Sequence, residues 1–189
     1  LKKYPNIVYK RLELDPGLYE TWNMAIGMAR GEYITNANLD DRHAPQHLEK
    51  HLEWLEQHPE CDVVAAPVLV TKGINETWDN HTAYNVWHQQ FIHGGDEYSG
   101  IQEFFRCELD ENGLKTGGVV SYNFPHCMPV WRKSLHEKNG YFDEPEYGTS
   151  ADWEFWLRCA ANGATFKLLK EPLGLYLENP NSHNRTYTN

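Results

Sequence analysis

A run of oxygen-bearing side chains, Asn38-Leu39-Asp40-Asp41, follows directly after a short predicted strand at residues 33–37. Ligands of open α/β sheets bind outside the carboxyl ends of the strands, so these side chains would face a crevice. Hard oxygen ligands suit Mg²⁺ or Mn²⁺, and such an ion can join acidic side chains to a diphosphate. In the competing interpretation, Asp40 and Asp41 only begin the next helix, where capping and the helix dipole favour Asp. The run alone supports both interpretations equally.

A second carboxylate, Asp152, stands in the first turn of a helix predicted at residues 151–161. At the lip of a pocket this carboxylate could accept a proton as a general base. In the competing interpretation, Thr149 caps the helix and Asp152 completes a capping box, which the local pattern favours. The face that this helix would bury consists of Trp153, Trp156, Leu157 and Ala160.

Two of the ten histidines lie in segments that flank the predicted crevice, His126 and His183. We expect His183 to be a metal ligand beside Asp40, and His126 to be the reserve candidate for the base. His47 and His51 are four residues apart and could share one helix face. The position after His47 is not Glu, so the HExxH pattern of zinc proteases is not present there.

The elements that must position these residues alternate along the first third of the chain. Hydrophobic periodicity and turn residues predict strands at 7–12, 33–37 and 63–70, joined by helices at 18–30 and 46–58. Strands that alternate with helices indicate an α/β fold with a mainly parallel sheet, in which the three strands should be neighbours.

The 189 residues allow a single domain, in which three parts can be distinguished. Residues 1–70 form the sheet and helix part that carries the predicted metal motif. Residues 71–127 are rich in Gly, Asn, His and aromatic residues and follow no clear periodicity, which predicts a variable region on the acceptor side. Residues 128–189 contain the helix that bears Asp152 and strands at 165–169 and 173–177.

Composition excludes several classes of protein. The formal net charge is −10 and the basic residues are scattered, which argues against a nucleic-acid-binding face. No apolar run is long enough to span a bilayer. The four cysteines form no CxxC pair, so reduced thiols and a cytoplasmic protein are expected, with membrane association only through parts outside this sequence.

Four motifs in order over residues 20–160 resemble those of family 2 glycosyltransferases of GT-A fold. The resemblance covers a helix with its following strand, the Asp run, a Gly-Tyr-Phe-Asp-Glu segment and the Asp152 helix. The matched segments are Asn23–Ile34, Ala37–Asp41 followed by Pro45–Glu49, Arg132–Leu135 with Gly140–Glu144, and Ala151–Arg158.

This resemblance implies inverting, non-processive transfer of a sugar from a nucleotide-sugar donor to a hydroxyl of a saccharide or another acceptor. It implies that Asp40 holds Mn²⁺ or Mg²⁺ on the donor diphosphate, and that Asn38 and Asp41 help to bind the donor. Asp152 would be the base that deprotonates the acceptor. The fold would be GT-A-like, and the two N-terminal strands of the family would precede Leu1.

The sequence also departs from the family pattern. Asn38 replaces an Asp, which keeps an oxygen ligand but removes its charge, and Trp22 stands where many relatives have an Arg near the phosphates. Two rival functions follow: a catalytically silent GT-A-like binding or scaffold module, and a metal-dependent hydrolase suggested by the His-rich segments. The hydrolase interpretation is weak, because the sequence has neither the spacing of metal ligands nor the nucleophile motif that it requires.

Overall fold

The computed structural model describes residues 3–87, 108–109, 115–116 and 123–179. The helices are α1 (Leu18–Met28), α2 (His47–Gln57), α3 (Ser134–Asn139), α4 (Glu144–Tyr147) and α5 (Ala151–Ala161). The strands are β1 (Tyr33–Thr35), β2 (Arg42–His43), β3 (Val63–Ala65), β4 (Val68–Thr71), β5 (Asn85–Trp87), β6 (Glu108–Leu109), β7 (Lys115–Thr116), β8 (Val130–Arg132), β9 (Phe166–Leu168) and β10 (Gly174–Leu177). Two 3₁₀ turns, Phe124–His126 and Gly148–Ser150, precede β8 and α5.

The central sheet has the strand order β1-β8-β3-β9, and β8 runs opposite to the other three strands. The predicted strands at 33–37 and 63–70 therefore run in the same direction, as expected. The expectation that they are neighbours is wrong, because β8 lies between them, with Trp131 opposite both Ile34 and Val63. The reason is long-range: Val130 and Trp131 are buried on both faces of the sheet, which suits a central strand.

The continuous strand predicted at 63–70 is two strands in two sheets. Pro67 stands at the break between β3 and β4, where the absence of an N–H interrupts a sheet ladder. β4 then enters a second sheet of order β2-β10-β4-β5, in which β10 runs parallel to β4 and antiparallel to β2. This change of sheet brings the end of β10 beside the loop that follows β1.

The strand predicted at 7–12 is wrong. This segment pairs with no strand in the described part of the chain, and Ile7, Val8 and Tyr9 are more than half exposed. A β-branched and aromatic pattern favours a strand only where a neighbouring edge accepts its ladder. The helices predicted at 18–30 and 46–58 are confirmed as α1 and α2, within two residues at each end.

The helix α5 is fixed by an aromatic core against the central sheet. Phe155 and Trp156 are buried, and the ring of Trp156 meets that of Trp131 edge to face at a centroid distance of 5.5 Å. Trp156 and Ala160 confirm the predicted buried face, whereas Trp153 and Leu157 are only partly buried. The first turn of α5, which carries Asp152, is thereby held in one place.

Contacts between distant motifs fix α1 beside α5. The carboxylate of Glu144 accepts hydrogen bonds from the backbone N–H groups of Leu18, Tyr19 and Glu20 at 2.9–3.2 Å. It thus caps α1 across 124 to 126 residues of sequence. Asn23 and Phe142 exchange two further hydrogen bonds, of 2.8 and 3.1 Å, between the amide side chain and the backbone. The matched family segments around Asn23 and Gly140–Glu144 therefore form one structural unit.

Candidate active site

A cleft of about 410 Å³ opens between the loop that follows β1 and the beginning of α5. The two predicted clusters meet there, because β1 delivers the loop from one side and the aromatic core holds α5 on the other. The residues that line the cleft include Asn38, Asp40, Asp41, His126 and Asp152, together with Tyr19, Trp22 and Tyr176.

The loop from Asn36 to Asp41 is held in a tight path by its neighbours. The Arg42 guanidinium donates to the backbone carbonyls of Leu39 and Asp41 at 3.0 and 2.7 Å. His43 Nε2 lies 2.9 Å from the carbonyl of Asn36, at the other end of the loop. These contacts present the side chains of the loop to the cleft.

Asp40 is exposed at the cleft, and its carboxylate has no hydrogen-bond or ion-pair partner among the described residues. The competing interpretation, that Asp40 and Asp41 begin the next helix, is wrong. The strand β2 follows the loop, α2 begins only at His47, and its N-cap residue is Gln46. The carboxylate of Asp40 is thus available to a ligand rather than committed to the fold.

Asp41 is buried, and both of its carboxylate oxygens are engaged within the protein. One accepts from the Asn38 side-chain amide at 2.9 Å and the other from the backbone N–H of Leu177 in β10 at 3.1 Å. Burial raises the pKa of the Asp41 carboxyl above its usual value, although these two hydrogen bonds act in the opposite direction. Asp41 ties the loop to the second sheet, and its predicted contact with a donor stays a prediction.

Asp152 is 8% exposed, and each carboxylate oxygen accepts one hydrogen bond. The Asn123 side-chain amide donates to Oδ2 and the backbone N–H of Trp153 donates to Oδ1, both at 2.8 Å. The capping box predicted as the alternative does not form, since Ser150 is the N-cap of α5 and no side chain caps it. Asp152 satisfies one first-turn N–H and still lines the cleft.

Tyr19 lies next to Asp152 on the α1 side of the cleft. Burial, with the negative charge of Asp152 adding to it, raises the pKa of the Tyr19 phenol far above its ordinary value. The phenol therefore stays protonated, and its O–H donates to the backbone carbonyl of Thr149 at 3.2 Å.

His126 also lines the cleft, but both nitrogens of its ring are engaged. Nδ1 lies 3.1 Å from the carbonyl of Asn123, which can only accept, so Nδ1 carries the proton. Nε2 lies 2.8 Å from Cys127 Sγ, and burial raises the pKa of this thiol, which therefore donates its proton to Nε2. Burial also lowers the pKa of His126. This geometry argues against His126 as the reserve base.

Comparisons with known proteins agree with this arrangement. The family model described as glycosyl transferase family 2 matches residues 1–137. The chain belongs to this family.

This family 2 chain is similar to a curated glycosyltransferase and to solved structures of another protein. An uncharacterized glycosyltransferase of Methanocaldococcus jannaschii is 26% identical over 179 residues, which are 93% of this chain and 52% of the relative. The crystal structure of S. aureus TarS 1–349 in complex with UDP-GlcNAc superimposes with a TM-score of 0.61 at 16% identity, over 96% of this chain and 46% of that one. The same protein in complex with UDP gives a TM-score of 0.60 at 17% identity, over 95% and 46%. The chain thus spans about half the length of these relatives, and the TarS likeness establishes a shared mixed α/β fold.

The family 2 chain offers oxygen ligands that fit a hard cation. In the part of the chain that the structure describes, Asp40 provides an exposed carboxylate without a partner, and the Asn38 amide oxygen has one long contact, 3.5 Å, with the Asn36 amide. No group of three His, Cys, Asp or Glu side chains suited to a metal occurs within the described ranges. Two protein oxygens suffice for Mg²⁺, which keeps several waters and takes its other ligands from phosphates. His183 lies outside the described residues, so its role as a ligand stays a prediction.

Sequence reasoning missed two neighbours of Asp152, the hydrogen-bond donor Asn123 and the cleft residue Tyr19. Asn123 lies in the 71–127 stretch without periodicity, and its partner Asp152 is 29 residues away, so no local signal could have found it. Tyr19 was missed because the apolar face predicted for this helix began at Leu18, and Tyr19 is the next residue, which does not belong to that face.

In the described part of the family 2 chain, no helix is both long enough and apolar enough to cross a membrane.

Proposed function

We propose that this chain is the metal- and base-bearing part of an inverting glycosyltransferase. The enzyme would transfer a sugar from a nucleotide-sugar donor to an acceptor hydroxyl, without processivity and with Mn²⁺ or Mg²⁺. The observation that carries the proposal is that Asp40 and Asp152 line one cleft. Within the described ranges Asp40 has no hydrogen-bond or ion-pair partner, and Asp152 is held by two donors.

Asp152 would act on the acceptor. The acceptor oxygen attacks the anomeric carbon of the donor while its proton passes to the Asp152 carboxylate. The bond from that carbon to the diphosphate breaks on the opposite side, so a single displacement inverts the configuration. Among the described residues, Asn123 donates to one oxygen of Asp152 and the Trp153 N–H to the other, which leaves a second lone pair on each oxygen to receive the proton.

Asp40 would act on the donor, with Asn38 and His183 as the further candidate ligands of the cation. When bound, a divalent cation supplies positive charge against the charge that develops on the departing diphosphate. Because the Asn38 amide is neutral, Asp40 would be the dominant anchor of the cation.

UDP-GlcNAc is a suitable first donor to test. S. aureus TarS, which shares the fold, has been crystallised with UDP and with UDP-GlcNAc. We further propose a reducing, cytoplasmic compartment, which the free thiols of Cys61, Cys127 and Cys159 support.

A catalytically silent binding module is the second candidate function, and Asn38 is the observation that favours it. Its amide N–H₂ donates to Asp41 at 2.9 Å, a bond that an ionised Asp at this position could not donate. Asn38 thus serves the fold of the loop where the family pattern has an acidic ligand.

The experiment that separates these functions uses the full-length enzyme with UDP-GlcNAc and a panel of hydroxyl acceptors. We expect UDP release that requires Mn²⁺ or Mg²⁺ and stops with EDTA, and a product of inverted anomeric configuration by proton NMR coupling. Asp40→Ala should lower turnover at least about 100-fold, since metal stabilisation of this kind contributes several kcal/mol.

Asp79→Ala is the matched control, because Asp79 is an exposed carboxylate that does not line the cleft. Both variants should melt within about 2 °C of the wild type, as surface substitutions do. Donor binding by calorimetry without turnover for any acceptor would support the silent module. A retained anomeric configuration would exclude the single displacement.

A further inference from the structure

We propose that Asn123 positions the Asp152 carboxylate and stabilises its negative charge through a donated hydrogen bond. This inference rests on the proposed function, because it gives Asn123 a role only if Asp152 is the base.

The carboxylate of Asp152 is held by two donors from different elements. The Trp153 N–H belongs to α5 itself and engages Oδ1 at 2.8 Å. The Asn123 amide comes from the segment before β8 and engages Oδ2, also at 2.8 Å. One donor alone would leave the carboxylate free to rotate about its side-chain bond, whereas two donors on two oxygens define its plane.

Asn123 is itself fixed by the 3₁₀ turn at Phe124–His126. Its backbone carbonyl accepts from the His126 N–H at 3.3 Å and lies 3.1 Å from His126 Nδ1. The next residue but one, Pro125, is buried. The amide thus reaches Asp152 from a backbone that cannot easily move away.

The observed orientation of the Asn123 amide leaves one of its polar atoms unpaired, so hydrogen bonding to Asp152 must favour this orientation. Asn123 Oδ1 is buried and has no hydrogen-bond partner among the residues described. An unpaired buried acceptor destabilises a fold by about 1–3 kcal/mol. Flipping the amide would place this oxygen against the Asp152 carboxylate and repel it, so the donated bond to Asp152 selects the observed orientation.

The groups that face Asp152 give Asn123 an electrostatic role as well. Tyr19 stays protonated, Cys127 is a neutral thiol, and burial holds the pKa of His126 below its usual value. Asp40 and Asp41 line the same cleft and add only negative charge. The Asn123 amide is therefore the side-chain donor that the described structure sets against the negative charge of the Asp152 carboxylate.

The test compares pH profiles of kcat for the full-length enzyme, with UDP-GlcNAc and the best acceptor found. Asn123→Ala removes the donor, and Asn123→Asp keeps the shape but replaces the donor with an acceptor. We expect the acidic limb to move to higher pH in Asn123→Ala, and further in Asn123→Asp, because each change removes a donor to the ionised carboxylate. Plateau turnover should fall about 10- to 100-fold through misorientation, while the KM for the donor stays within about twofold.

Asn162→Ala is the matched control, because it removes a side-chain amide bond of the same length, 2.8 Å to Asn139, at the far end of α5. Its acidic limb should not move. A second readout without turnover is the ¹³C NMR titration of the Asp152 carboxyl, assigned by its loss in Asp152→Asn.

The outcomes separate this inference from the proposed function. If Asp152→Asn abolishes turnover but both Asn123 variants keep the wild-type acidic limb and the wild-type NMR titration, Asn123 is only a packing residue and the inference is overturned. If Asp152→Asn keeps wild-type turnover, the base itself is misassigned and both proposals are overturned.

Discussion

The residues of the matched motifs divide into two regions, a cleft face and a scaffold. On the cleft face, Asp40 has no partner among the described residues and Asp152 has two donors. In the scaffold, Arg132 donates to the backbone carbonyls of Leu55 and Cys61 at 2.7 and 2.9 Å, which joins the end of α2 to the central sheet. Glu144 caps α1 with three hydrogen bonds. Membership of a motif therefore does not identify a catalytic residue, whereas a place in the lining of the cleft, which Asp40 and Asp152 have and Arg132 and Glu144 lack, separates the two roles.

The largest effect is expected at the cleft face, in the variant Asp152→Asn. Loss of a general base lowers turnover by about 10²–10⁴-fold, while Asn keeps the shape and can still accept the Trp153 hydrogen bond. Steady-state kinetics and a thermal melt of the full-length enzyme measure the two quantities. Near wild-type turnover together with a large loss of stability would show that Asp152 stabilises the fold and is not the base.

Acid should act on the scaffold through two buried histidines of α2. Burial lowers the pKa of His47 to about 3 and that of His51 to about 4, and the Nε2 atoms of both are buried without a partner in the described part of the chain. The unfolded chain binds these protons near pH 6.5 and the folded chain does not, so stability falls as the pH drops from about 6.5 towards 4. We expect the free energy of unfolding to fall by roughly 2–4 kcal/mol between pH 7 and 5, measured by urea denaturation.

The variant His51→Asn tests the source of that acid sensitivity. An Asn amide can reproduce the bond that His51 Nδ1 makes to the carbonyl of His47 at 2.7 Å, but it does not titrate. About half of the pH dependence should disappear. Gln57→Asn, at the exposed last position of the same helix, is the control and should leave the slope as it is in the wild type, because neither side chain titrates.

The next effect is expected for Arg132→Met, which removes the scaffold donors. Two buried backbone carbonyls lose their hydrogen bonds, so the free energy of unfolding should fall by about 2–3 kcal/mol. The ion pair with the largely exposed Glu32 adds little to this loss. Turnover per folded molecule should stay near the wild-type value, and Arg30→Met, an exposed Arg, should change stability by less than about 0.5 kcal/mol. A fall in turnover without loss of stability would contradict the scaffold role.

The smallest effect is expected for Glu144→Gln, which keeps an acceptor for the α1 N–H groups but removes its charge. Negative charge at a helix N-terminus contributes about 0.3–1 kcal/mol, and a loss of that size should appear in denaturant titrations. Glu146→Gln in the same short helix α4 is the control, because Glu146 does not cap α1. Equal losses in both variants would show that α4, rather than the cap, responds to charge.

Sequence reasoning named the carboxylates that line the candidate cleft, but it did not find the residues that hold them in place. Asp40 and Asp152 were candidates because their motifs resemble those of family 2 glycosyltransferases, whereas the local patterns alone also allowed both residues to cap helices. The burial of these carboxylates could not be predicted. Nor could the sequence show that Asp41, and not the adjacent Asp40, accepts hydrogen bonds from Asn38 and Leu177, because the two neighbours are of the same residue type. Asn123 was missed for the same reason: its hydrogen bond to Asp152 spans 29 residues.

The sequence by itself determined the local elements α1, α2, α5 and β1, because helical periodicity and turn residues act over only a few positions. The tertiary structure decided that β8 lies between β1 and β3, that Pro67 divides one apolar run between two sheets, and that the residues at 7–12 pair with no described strand. A strand forms only when another segment supplies the other half of its hydrogen bonds, and which segment does so depends on contacts far apart in the chain. The cleft between Asp40 and Asp152 is a product of those pairings.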